Sequence, residues 1–151
     1  DEFEAFLLEV LSTWSVTIPE LGTVVAATPP VVVLTSNRTR ELHDALKRRC
    51  LYHWVEHPGL ERELAIVRAR TPEVPEALAA QVVRAVHAMR SDTELLKPPG
   101  VAETLDWARA LHTLGTRELD TESAARTLGV ALKYREDAQR ISAALDRILT
   151  P

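Results

Sequence analysis

The run Val31-Val32-Val33-Leu34-Thr35-Ser36-Asn37 decides how this chain is read. Four apolar residues, three of them β-branched, follow one another without alternation. A strand of that kind expects burial on both faces, as in the middle of a parallel α/β sheet. It ends in three small polar residues, the usual punctuation at a strand tip or a helix cap.

On the N-terminal side, Phe3, Phe6, Leu7, Val10 and Leu11 recur at helical spacing, so residues 3–11 are expected to form an amphipathic helix. Val16-Thr17-Ile18 and residues 23–27 flank Pro19-Glu20-Leu21-Gly22, which predicts a hairpin. On the C-terminal side, a helix is expected over residues 41–49, with Leu42 and Leu46 facing inward. Leu51-Tyr52-His53-Trp54-Val55 reads as a further short strand, broken by His57-Pro58-Gly59.

From Leu60 the apolar period becomes helical and stays so. Helices are expected over 60–70, over 76–90 with Leu78, Val82, Val83, Val86 and Met89 as its stripe, and over 101–114. One or two more are expected between 121 and 149, with an interruption at Gly129. Asp120 or Thr121 is the expected N-cap there. The expected organisation is therefore α/β plus all-α: an α/β part over 1–58 and a helical part over 59–151. One central strand, one flanking strand and two helices make less than a sheet. Most of the sheet is expected in sequence outside these residues.

Composition narrows the function classes. The chain has 151 residues, a formal net charge of -4 and a sequence pI near 5.7. That balance counts against a dedicated nucleic-acid binder. The one cysteine, Cys50, makes neither an internal disulfide nor a cysteine-based zinc site, and a reducing, cytoplasmic setting fits it. No apolar run reaches the roughly 20 residues that span a bilayer, and no membrane association is expected. The chain opens at Asp1 inside a helical pattern, so it reads as a piece of a longer protein. No His-Glu-x-x-His is present, and His53 and His57 lie on a strand-like run, so no metal site is expected. Trp14, Trp54 and Trp107 are isolated and read as packing anchors.

Residues 31–37, followed by Asp44-Ala45-Leu46 and Arg48-Arg49, resemble the sensor 1 region of AAA+ ATPases. The segments Glu4-Ala5-Phe6-Leu7-Leu8-Glu9, Ile18-Pro19-Glu20-Leu21-Gly22, Leu60-Glu61-Arg62-Glu63-Leu64 and Leu132-Lys133-Tyr134-Arg135-Glu136-Asp137 resemble the MoxR branch of that family. The likeness spans nearly the whole chain; it is most specific over 3–64 and weakest over 72–90. It implies a partial AAA+ α/β core made of a sensor 1 strand, a hairpin and a short strand, followed by a helical lid.

The resemblance assigns roles residue by residue. Asn37 takes the place of sensor 1, where an amide meets a γ-phosphate oxygen or the attacking water; a turn or N-cap asparagine is the plain reading. Arg49 takes the place of the arginine finger that serves the neighbouring subunit's ATP, with Arg48 as its rival. A solvated basic helix end is the plain reading of both. The sensor 2 arginine is missing: its place falls on Gly100 in Lys97-Pro98-Pro99-Gly100-Val101. Lys97 is the nearby cation that stands in for it, against the plain reading of a lysine beside a helix-starting turn. Asp1-Glu2 lacks the apolar strand that precedes a Walker B pair and reads as first-turn helix acids. No Gly-x-x-x-x-Gly-Lys-Ser/Thr occurs.

The implied function is the sensor and lid portion of a MoxR-type ATPase used as a chaperone or maturation factor. ATP and Mg belong to the whole protein, and none is expected on these residues alone. The implied partners are further copies in a hexameric ring and a von Willebrand A domain protein. Two other readings stand beside it: a non-catalytic helical interaction module, and a AAA+ relative acting on DNA.

Overall fold

The computed structural model describes residues 2–36 and 43–150. The chain is mixed α/β and mostly helical, and it divides into two compact units, Asp1–Val55 and Glu56–Pro151.

The first unit opens with α1 (Glu2–Thr13). Trp14, at φ 51°, turns the chain out of the helix, and its N–H still reaches the Val10 carbonyl at 3.0 Å. β1 (Ser15–Ile18) and β2 (Gly22–Val25) then pair antiparallel, from Ser15 opposite Val25 to Ile18 opposite Gly22. The turn between them follows from Pro19, whose ring sets φ for the second turn position. Glu20 takes φ 74° at the third, a place that favours glycine, and the Leu21 N–H closes the turn on the Ile18 carbonyl at 3.2 Å. Thr17 donates to the Glu9 carboxylate at 2.6 Å, tying the hairpin to α1. The expected hairpin is therefore present.

Helix α2 (Asp44–Lys47) is short and packs against α1, with Leu46 buried as expected. His43 caps it through a ring nitrogen that accepts the Ala45 N–H. Leu42 and Asn37 lie outside the described residues.

Two expected strands are absent among the described residues. The runs 31–34 and 51–55 belong to no strand. Val31 is 95% exposed, Val33 81% and Leu51 102%. The reason is physical. A strand needs a ladder partner, and a doubly buried one needs two sheet neighbours and two covering layers. The described residues supply only the two short hairpin strands. Trp54 is also exposed, so it is no packing anchor here; its ring lies 5.4 Å from that of Tyr52, two residues away.

The second unit is wholly helical: α3 (Leu60–Arg70), α4 (Glu76–Arg90), α5 (Val101–Thr113), α6 (Thr121–Ala131), α7 (Arg135–Ser142) and α8 (Leu145–Leu149). α4 is the centre and touches α3, α5 and α8. Its stripe Leu78, Val82, Val83, Val86 and Met89 is fully buried. Trp107 from α5 fills the same core and satisfies its indole N–H on Thr127 at 2.7 Å. Burying such side chains is the main driving force for this unit, at about 1.5–3 kcal/mol for each large aliphatic or aromatic group.

α6 starts at Asp120, whose carboxylate accepts the Ser123 N–H at 2.7 Å while Ser123 Oγ accepts the Asp120 N–H at 3.2 Å. α6 runs through Gly129 without a break. The expected interruption falls instead at Leu132, which is extended and buried. An interior glycine costs a helix about 1 kcal/mol, too little to end one whose flanking residues Leu128 and Ala131 are held in the core.

Candidate functional site

The most chemically loaded place in the helical unit is where α3, the end of α4 and the start of α5 meet. Glu63 sits on α3 four residues before the buried Val67, so helical periodicity turns it inward. Its side chain is fully buried. His87 and Arg90, three residues apart on the last turn of α4, face it from one side. Arg90 grips both carboxylate oxygens, Nη1 on Oε2 and Nη2 on Oε1, the latter at 2.9 Å. His87 Nε2 donates to Oε2 at 2.9 Å. Thr104 of α5 donates its hydroxyl to Oε1 at 2.6 Å. Every demand of the buried charge is met, as a buried ion pair requires.

Burial pushes the Glu63 carboxyl up, but the bonds from Arg90, Thr104 and His87 outweigh it and hold the group below its ordinary value. His57 is moved down as well, first by burial and then by the Arg90 charge.

The same Arg90 reaches past Glu63. Its Nε donates to the Pro99 carbonyl at 2.6 Å. That bond fixes the turn from which α5 starts at Gly100. Gly100 donates its N–H to Glu103 Oε2 at 3.0 Å, and its carbonyl accepts the Thr104 N–H at 3.1 Å. Its backbone, at φ -87° and ψ -178°, is extended and open to any residue. A side chain at Gly100 would meet only the Glu103 carboxylate, 2.9 Å from its Cβ, and that flexible group can swing away. Gly100 is therefore not required by the fold.

The residues singled out from sequence are distributed between the two units. Asn37 lies outside the described residues. Arg48 is the exposed C-cap residue of α2. Arg49 is also exposed but lies back on its own unit: Nε donates to Ser12 Oγ at 3.0 Å and Nη1 to the Ala45 carbonyl at 2.9 Å. Lys97 projects from the turn before α5 and is exposed. Among the described residues, no group of three or more His, Cys, Asp or Glu side chains is placed to hold a metal ion. Cys50 is a free, half-buried thiol. No described helix is long and apolar enough to cross a membrane.

Sequence reasoning missed Glu63, Arg90 and Thr104, although each left a signal. All three are polar residues at core positions of their helices: Glu63 four residues before Val67, Arg90 four after Val86, Thr104 three before Trp107. A polar residue inside an apolar stripe marks either a flaw or a buried partner, and three of them on successive helices mark a network.

Comparison with family models, curated proteins and solved structures gives no match to this chain.

Proposed function

We propose that these residues are the sensor and lid portion of a MoxR-type AAA+ ATPase. The whole protein would hydrolyse ATP with Mg in a homo-oligomeric, hexameric ring. It would use that hydrolysis for chaperone-like maturation of a protein complex, with a von Willebrand A domain protein as partner. In this reading Asn37 is sensor 1, Arg49 the arginine finger with Arg48 its rival, and Lys97 the substitute for the sensor 2 arginine.

One observation carries the reading: three features follow in the order that a AAA+ chain needs. They are an apolar run ending in Ser36-Asn37, a short helix α2 closing on Arg48-Arg49, and a self-contained helical unit. The exposure of residues 31–34 fits the reading, because an exposed apolar run marks a surface that other protein covers. Arg49 held on Ser12 and Ala45 is a resting position that a nucleotide phosphate in a neighbouring subunit would compete for.

The test is ATP hydrolysis by the assembled full-length protein. Arg49→Ala is expected to lower kcat by about 1,000-fold, the size of a finger's contribution, with Arg48→Ala close to wild type. Normal turnover by Arg49→Ala removes the finger assignment. No ATP hydrolysis by the full-length wild type removes the reading itself.

A further inference from the structure

Asp137 is a buried carboxylate with an unusual use. It lies on the first turn of α7 and is 2% exposed. Both of its oxygens are given to backbone: Oδ1 accepts the Leu96 N–H at 2.9 Å and Oδ2 accepts the Lys97 N–H at 3.1 Å. These bonds span about forty residues of sequence, so they order a loop that local chain stiffness does not.

The rest of the loop is fixed as thoroughly. Arg140, one turn along α7, donates Nε to Asp92 Oδ2 at 2.7 Å and places Nη1 2.6 Å from Glu94 Oε2. At the far end Arg90 holds the Pro99 carbonyl and Glu103 holds the Gly100 N–H. The backbone around Lys97 is thus tied to α4, α5 and α7, while the Lys97 side chain stays exposed.

We infer that Asp137 is a positioning residue: by accepting the Leu96 and Lys97 N–H groups it fixes the point from which Lys97 is aimed at the phosphate chain of a bound nucleoside triphosphate. The inference rests on the Lys97 assignment proposed above. It adds a residue that touches no nucleotide and acts through the backbone of the one that does. The chemistry is directional. A carboxylate accepts two N–H donors side by side; the isosteric carboxamide of asparagine accepts one and turns its own N–H₂ against the other. Asp137→Asn therefore releases one end of the clamp with almost no change in volume.

The experiment is a double-mutant cycle on ATP turnover in the assembled full-length protein, using Lys97→Ala, Asp137→Asn and the pair. Lys97→Ala is expected to lower kcat at least about 10-fold, as is Asp137→Asn, with KM for ATP moving much less. In the Lys97→Ala background Asp137→Asn is expected to cost nothing more, because the group it aims is gone. If the two losses multiply, Asp137 supports the fold rather than Lys97, and the inference is overturned; so it is if Asp137→Asn turns over like wild type. A Lys97→Ala protein with wild-type kcat overturns the Lys97 assignment itself, a separate result. Asp137→Glu keeps both acceptors but moves them by one methylene, and it serves the same cycle if the asparagine variant does not fold.

Discussion

The two units of this chain carry similar apolar sequence and make opposite use of it. In Glu56–Pro151 the apolar side chains of α4, α5, α6, α7 and α8 meet one another, and Trp107, Leu111 and Ile141 are fully buried. In Asp1–Val55, residues 31–34 are as apolar as any helix stripe and stand largely in solvent. Secondary-structure type accounts for the difference. A helix satisfies its backbone within itself and needs only a neighbour for one stripe. A doubly buried strand needs backbone partners on both edges as well as cover on both faces. Six successive helices supply each other's neighbours; one hairpin cannot supply a central strand's.

The contrast can be tested, beginning with the largest expected effect. Glu63→Ala leaves the Arg90 guanidinium buried without its counter-ion and is expected to destabilise the helical unit by about 3–5 kcal/mol, read by denaturant unfolding. Trp107→Ala empties a large core volume and is expected to cost a comparable 3–5 kcal/mol or so. If either variant unfolds at the wild-type midpoint, the helical unit is not held by this core.

Acid should act on the same network. The folded-state value of Glu63 lies below its ordinary one. The group therefore binds its proton more readily in the unfolded chain, and the stability it lends is present above its unfolded value and lost as pH falls. Unfolding midpoints measured down the pH scale should fall in the acid carboxylate range, and Glu63→Gln should remove that step. A step that persists in Glu63→Gln would assign it to other carboxylates.

Asp120→Ala, which removes the α6 cap, is expected to lower the midpoint by less than Trp107→Ala does. The smallest effect belongs to the other unit. Val33→Thr in the 151-residue chain should change stability by less than about 0.5 kcal/mol, as surface changes do. If, as the proposed function requires, residues 31–34 are covered in a longer protein, the same substitution there is expected to cost clearly more, and an unchanged midpoint counts against that cover.

Much of this is legible in the sequence alone. The helices over 60–70 and 76–90 and the hairpin around Pro19 follow from periodicity and turn chemistry, because those are local causes. Leu46 pointing inward was legible for the same reason. The misreadings share one origin. Residues 31–34 and 51–55 have strand composition, but strand formation depends on partners that composition cannot guarantee. Gly129 has the composition of a break, but packing of Leu128 and Ala131 overrides a cost of about 1 kcal/mol. Asn37, the residue on which the sensor 1 reading turns, lies outside the described residues.

The sequence by itself determined the helices over 60–70, 76–90 and 101–114, the hairpin turn at Pro19, and which face of α4 is apolar, since each rests on residues a few positions apart. Only the tertiary structure decided that Glu63, His87, Arg90 and Thr104 converge, and that Asp137 reaches back some forty residues to the Lys97 turn. Those partners are distant in sequence, and a buried charge is tolerated only where the fold brings its counter-charge and donors to it.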